Sequence, residues 1–545
     1  KHLLYLSKFC RFFASSSYLC PTAGGPPVTR KHLPHMKKLL LPPVFALLCL
    51  SSHAQENRIT IDAGASLGEI SPYVYGQFVE YMGRCIDGGI FDEDSPLSDS
   101  RGFRRDVLEK VKELSPTMLR FPGGTVVKTF HWEDGVGPKE ERKARKNLIW
   151  GGINDFHFGT CEFIEYCREI GAEPCLVVNL STGSPDEAAN WVEYCNGTEN
   201  TYYANLRRSH GYPEPFGVKY WALGNEEGAE PDAGRHQDPR KYVEDVWHFI
   251  KLMKLTDPSI KLIANGEGGD MRWNETVLDG LGGAVDYISY HNYVNTEEGK
   301  PYSLFRKIKA ADRGLAALGA FIRENCPDSV DNWQVWYRFP PRQDRIRIAF
   351  DEWGIWEAGG PPYGTTNTYE WRHGLATAYF LNAIHRNARH VGIANWAQMV
   401  NILAPIMTDE TASVRQTTFF PLREYRAKGL KESVKAEAVS PAMDTDVGSL
   451  DVSATIDRER GRLNLFVVNL NPKALKTRIV FENCKADKLI RTTVLSAASL
   501  DARNTLDDPA GNVVATATDT DPGKADEITF KGESVTICEF ALSGR

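Results

Sequence analysis

The sequence predicts an α/β fold, a (β/α)8 TIM barrel followed by a C-terminal all-β sandwich. Three observations lead there. Between residues 71 and 410, eight short β-rich runs alternate with amphipathic helical stretches, the pattern of a parallel sheet with helical crossovers. Nearly every run ends in a polar group. After residue 411 the pattern becomes short alternating runs such as RLNLFVVNL and SVTICEFAL, separated by Asn, Asp, Pro and Gly.

The barrel strands are expected at Tyr73–Val79, Thr117–Phe121, Pro174–Val178, Val218–Leu223, Lys261–Ala264, Tyr287–Tyr290, Ile346–Phe350 and Ile393–Trp396. Between them, FRRDVLEKVKEL places Phe103, Val107, Leu108, Val111 and Leu114 on one helical face. Further helices are expected over Cys161–Ile170, Tyr242–Leu255, Leu304–Glu324 and Glu370–Asn387. The strand-like stretch 55–70 is expected to join the sheet of residues 411–545, and the turn-rich stretch 501–526 to form a loop.

Residues 37–54, KKLLLPPVFALLCLSSHA, have the basic start, apolar run and small-residue ending of a signal peptide, so residues 36–54 predict export, to the periplasm or beyond the cell. Residues 1–35 show no periodicity and are expected to be a non-structural upstream extension. Removing the leader takes away seven positive charges and no acid, changing the formal charge from −7 to −14. An acidic protein with no run of about 20 apolar residues is expected to bind neither nucleic acid nor membrane. Eight of the eleven cysteines follow the leader, without C-x-x-C or metal-ligand spacing, so no metal site is expected.

A barrel places its chemistry at the carboxyl ends of its strands. Read in order, those ends carry Glu80; Arg120 with Gly123 and Gly124; Asn179; Asn225 and Glu226; Glu267; His291 and Tyr293; Glu352; and Gln398. Together these groups describe a carbohydrate pocket. Glycoside hydrolysis needs one carboxyl group to protonate the leaving oxygen and another to attack or to activate water. VKYWALGNEE and IRIAFDEWG deliver Glu226 and Glu352 at strands four and seven, which face each other across the barrel.

Five segments carry a specific resemblance: YGQFVEYMGRCIDGGIFDEDSP, LRFPGGTVVKTFHWEDGVGP, YWALGNEE, AFDEWGIW and NWAQMVNILAPI. In this order and at these intervals the chain resembles glycoside hydrolase family 51, the α-L-arabinofuranosidases. The resemblance implies Glu226 as acid/base, Glu352 as nucleophile, Asn225 on the sugar 2-hydroxyl, Glu80 and Gln398 on other hydroxyls, Tyr293 orienting the nucleophile and Trp356 as a pocket wall. It implies an arabinose-containing oligo- or polysaccharide as substrate, no cofactor and a homo-oligomer.

Physical reasoning reaches the same pair independently, because apolar walls and a neighbouring anion would keep Glu226 protonated. Arg120 is read either as an ion pair for Glu352 or as a structural arginine tied to Asp351, and His291 as a hydrogen-bonded supporting residue. Trp132, Trp353 and Trp356 are read equally as core or as sugar-stacking surfaces. The chain departs from the family pattern at Thr125, where Asn is usual, at Tyr81 and Met82 in place of His-Leu, and at Gly354 in place of Asn. Thr125 bears on the sugar site, so substrate choice is the more open question. Residues 328–345, with Trp333, Trp336 and Tyr337, are expected to form a loop near the outer subsites. The rival readings are an endo-acting β-glucanase or xylanase on the same scaffold and a non-catalytic glycan-binding protein.

Overall fold

The computed structural model describes residues 56–229, 236–330, 342, 344–357 and 367–543. The expected upstream extension and signal peptide lie outside them, as do Trp333, Trp336 and Tyr337.

Eight parallel strands close into a barrel, each beside its neighbour in the chain and the eighth beside the first. They are, in order, Gly76–Phe78, Met118–Phe121, Glu173–Val178, Tyr220–Leu223, Lys261–Ala264, Tyr287–Val294, Arg347–Ile355 and Val391–Ala397. The first is shorter than its apolar run because Ser71 caps a 3-10 turn over Pro72–Tyr75, accepting a hydrogen bond from the Tyr73 amide. Met118, Cys175, Val177, Tyr220, Ala222, Ile263, Ala349 and Ile393 form a separate buried cluster inside the strands. The barrel interior is therefore packed rather than a pore.

Helices Arg105–Leu114, Thr160–Ile170, Pro239–Thr256, Ser303–Asn325 and Trp371–Arg386 stand where periodicity predicts them. Helices Pro185–Asn196, Tyr202–Ser209 and Met271–Leu281 were not anticipated. The first of these had a readable signal, since Ser184 precedes Pro185 and its hydroxyl accepts the Glu187 amide at 3.1 Å. The all-β region begins at Glu432 rather than at 411, because Phe419–Lys428 is a helix that buries Phe419, Phe420, Leu422 and Tyr425. Its aromatic, weakly periodic sequence hides the helix from a pattern reading.

Nine strands form one continuous hydrogen-bonded series, with Arg58–Glu69 inserted between Glu432–Val439 and Leu475–Glu482. The sheet folds over on itself: the rings of Phe481 and Phe540 meet edge-on at 5.2 Å although their strands are not neighbours in the series. Strand Arg462–Asn469 shows the two-residue alternation plainly. Leu463, Leu465 and Val467 enter the core of the sheet domain, whereas Phe466 and Val468 enter the cluster that includes the barrel helices. Stretch 501–526 contains strand Ala515–Asp519, and the carbonyls of Leu500 and Ala502 accept the first amides of helix Trp371–Arg386.

That helix is buried on nearly every side and joins barrel to sheet. Arg386 bonds Asp312 at 2.9 Å and Asp451 at 3.1 Å, and Asn382 bonds Asp451 at 2.8 Å. His385 lies 2.9 Å from the Tyr75 hydroxyl and 3.1 Å from that of Ser453. Replacing Arg386 by Ala leaves two partly buried carboxylates facing each other, and urea unfolding should show a loss of about 3 kcal/mol. Burial, with a smaller contribution from the Arg386 charge, pushes His385 down to about 3. Between pH ~6.5 and 3 the unfolded chain binds a proton here that the folded chain does not, so stability falls as pH falls, by up to about 1.4 kcal/mol per pH unit. In urea melts across that range, His385→Gln should lose this part of the slope.

Candidate active site

Strand four runs out of the barrel through Gly224, whose φ is 83°, into Asn225 and Glu226. Glu226 itself adopts a positive φ of 47°. Its Oε1 lies 2.8 Å from Nδ1 of His291, in the second half of strand six.

Strand seven delivers Glu352 by a device the sequence does not advertise. Ala349 pairs with Ser289, but it is Glu352 that pairs with His291, so strand seven carries one residue more than its partner. The same offset appears against strand eight, between Phe350 and Trp353. This is a β-bulge, and it lets consecutive residues share a face that alternation would split between them. Asp351 and Glu352 both turn inward, while Phe350 and Trp353 point out into the helix layer.

Arg120, 1% exposed, binds both of them. Its Nη1 donates to Glu352 Oε1 at 2.6 Å, its Nε is 3.4 Å from Asp351 Oδ2, and its Nη2 donates to Asn225 Oδ1 at 2.8 Å. The two alternatives for this arginine therefore hold together. Tyr293 donates to the other Glu352 oxygen at 2.7 Å. Ser289 donates to Asp351 at 2.6 Å, and His291 Nε2 lies 3.3 Å from the same oxygen.

Glu226, His291 and Glu352 thus converge, with one donor or acceptor atom of each within 4.8 Å of the others. Burial alone would push His291 down, but the charges of Glu352 and Asp351, reinforced by hydrogen bonds to Asp351 and Glu226, hold it well above the usual histidine range. Asp351 stays well ionised: burial opposes this, and Arg120 and His291 outweigh it.

Glu80, after strand one, is 2% exposed and accepts hydrogen bonds from Gln398 at 2.6 Å and from Trp150 Nε1 at 3.1 Å. Burial, and then the nearby Glu352 charge, push it up to about 8 despite those two bonds. A Cβ at Gly124 would stand 2.8 Å from a Glu80 oxygen, so a larger residue there would push the Glu80 carboxyl group aside. Thr125 follows directly, buried at the start of a 3-10 turn. Trp356 remains 39% exposed, its ring set edge-on to Tyr293 at 5.6 Å. Asn225 Nδ2 and Gln398 Oε1 are buried without a hydrogen-bond partner among the described residues.

The structure thus gathers Glu80, Asn225, Glu226, Tyr293, Glu352 and Gln398 around one centre, with Trp356 at its rim. Trp132 and Trp353 belong to the core instead, 2% and 1% exposed. Asn179 holds its own loop, donating to Phe130 O and accepting the Ser181 and Thr182 amides. Glu267 accepts the Gly228 amide at 3.0 Å. Tyr81 and Met82 are buried, Tyr81 among Phe121, Phe130 and Phe156. Trp150 was missed: it lies in NLIWGGI, a stretch without periodicity, and only its indole bond to Glu80 reveals it.

Comparison with known proteins shows the family. The model of the α-L-arabinofuranosidase 1 domain matches residues 110–310, and that of the α-L-arabinofuranosidase C-terminal domain matches residues 351–534. A probable α-L-arabinofuranosidase C of Aspergillus fumigatus is 36% identical over 474 residues, covering 82% of this chain and 91% of that protein. An intracellular exo-α-(1→5)-L-arabinofuranosidase 1 of Bacillus subtilis is 33% identical over 466 residues, with the same coverage of both chains. The arabinose complex of the Thermotoga maritima α-L-arabinofuranosidase superposes with a TM-score of 0.80 at 35% identity, covering 89% of this chain and all of that one. With both matches spanning barrel and sheet, the chain belongs to the α-L-arabinofuranosidases of glycoside hydrolase family 51.

Proposed function

We propose that this glycoside hydrolase is a retaining, exo-acting enzyme that removes terminal α-L-arabinofuranose from arabinoxylan, arabinan or their oligosaccharides. The observation that carries the reading is the convergence of the Glu226 and Glu352 carboxylates to within 4.8 Å. Retaining enzymes hold their carboxyl groups about 5–5.5 Å apart, whereas inverting ones leave room for a water between them.

In the first step Glu352 attacks the anomeric carbon while Glu226 gives its proton to the departing oxygen. In the second, Glu226 takes a proton from water, which displaces Glu352 and frees the sugar. Arg120 and Tyr293 aim the two Glu352 oxygens, and His291 holds Glu226. The buried amide atoms of Asn225 and Gln398 are costly to leave unpaired, by about 1–3 kcal/mol each, and sugar hydroxyls are suitable partners. A protonated Glu80 can donate to a hydroxyl as well as accept.

Exo action is supported by the buried Glu80 and Gln398 beside the half-buried Trp150, a cluster that fits a terminal sugar with no chain continuing beyond it. The name of the Bacillus subtilis relative points the same way. Export rests on residues 37–54 alone, and that relative is by name intracellular. Cell fractionation decides the location, and light scattering decides whether the enzyme is the homo-oligomer its family resemblance implies.

With p-nitrophenyl α-L-arabinofuranoside, Glu352→Ala should abolish turnover, and proton NMR of the wild-type reaction should show the retained anomer first. Glu226→Ala should lower kcat/KM by about 10²–10⁴-fold when the leaving group needs a proton. On debranched arabinan the first product should be arabinose alone. Early release of longer oligosaccharides, or turnover of a β-xyloside or β-glucoside in its place, would transfer the substrate to an endo-acting reading.

A further inference from the structure

Glu226 holds a left-handed backbone conformation that a glutamate adopts only when its surroundings impose it. The residues that impose it lie beneath the turn. The Glu227 amide donates to Asn265 Oδ1 at 2.5 Å, and the Gly228 amide donates to Glu267 at 3.0 Å. The Glu227 side chain folds back under Gly224 so closely that a Cβ there would lie 2.7 Å from its Oε1. It is fully buried, and its partner is His236, whose Nδ1 stands 2.8 Å from Glu227 Oε2. The His236 amide also donates to the Glu227 carbonyl at 2.7 Å.

His236 is held in turn by helix Pro239–Thr256. Its Nε2 is 3.3 Å from Asp245, and its ring meets that of Tyr242 edge-on at 5.6 Å. Tyr242 donates to the carbonyl of Leu223 at 3.0 Å and accepts the Asn265 amide at 2.7 Å. Both imidazole nitrogens face carboxylates, an arrangement that only the protonated ring satisfies at both ends. Burial works against that proton, but the hydrogen bond and charge of Glu227, then those of Asp245, raise His236 above its ordinary value.

We propose that the buried Glu227–His236 ion pair is a positioning device for Glu226, fixing the turn that aims the acid/base at the departing oxygen. It rests on the reading of Glu226 given above. Neither residue touches the sugar. The pair clamps the turn to the helix behind strand four, so loosening it moves the carboxyl group without removing it.

The test is kcat/KM of the full enzyme on a series of aryl α-L-arabinofuranosides whose leaving phenols span a range of acidity. Glu227→Gln and His236→Gln should lower the value by about 10–100-fold for the least acidic phenol and change it little for the most acidic, which departs without a proton. In a Glu226→Ala background neither substitution should cost anything further. His236 is the more exposed member, so His236→Gln keeps the test open if Glu227→Gln fails to fold. A loss that is uniform across the phenols, or that persists without Glu226, would overturn the proposal. If Glu226→Ala itself leaves the dependence on the phenol unchanged, the acid/base assignment falls, and the role of the pair with it.

Discussion

Arg120 sits inside the barrel with its guanidinium divided among three partners, Glu352, Asp351 and Asn225, which come from strands seven and four. A buried cation is costly unless it is paired, and here hydrogen bonds to Glu352 and Asn225 and an ion pair with Asp351 supply that pairing. The constraint is reciprocal. Asp351 and Glu352 can both be buried because Arg120 and His291 stand between them, and Asn225 is held so that its amide nitrogen faces away from the arginine. Much of the geometry above the packed barrel interior follows from this one charge.

Environment then separates carboxyl groups that look alike in sequence. Asp351 is ionised beside Arg120 and His291, and Glu80 is kept neutral by burial next to another anion. Glu227 is buried outright and paired with a histidine. The first two settings need groups from several strands, which the closed barrel brings within a few ångströms of one another, whereas the partner of Glu227 comes from the connection that follows its own strand. The sheet domain contributes indirectly, because helix Trp371–Arg386, wedged between it and the barrel, is the next helix in the chain after strand seven.

Much of the site was legible because a barrel converts order along the chain into position around a ring. An apolar run ending in Gly-Asn-Glu and another ending in Asp-Glu-Trp could be assigned to strands four and seven, hence to one centre. Tyr293 and Gln398 followed by the same logic at strands six and eight. The helix over Phe419–Lys428 was not legible, since its apolar residues cluster without a helical period and its burial comes from neighbouring helices. The tryptophans resisted for a related reason: an indole suits a core and a sugar face equally well, and only packing sent Trp132 and Trp353 inward and left Trp356 at the rim.

The sequence by itself determined the eight strands, the polar residues at their ends, the family and the catalytic glutamates as candidates, because these depend on local periodicity and on short motifs. Only the tertiary structure decided that Arg120 serves Asp351 and Glu352 together, that Trp150 closes over Glu80, and that Asp351 and Glu352 share one face. The first two are contacts between distant segments, and the third depends on a register shift against both neighbouring strands. A bulge exists only relative to a partner strand, and no pattern within a single strand records it.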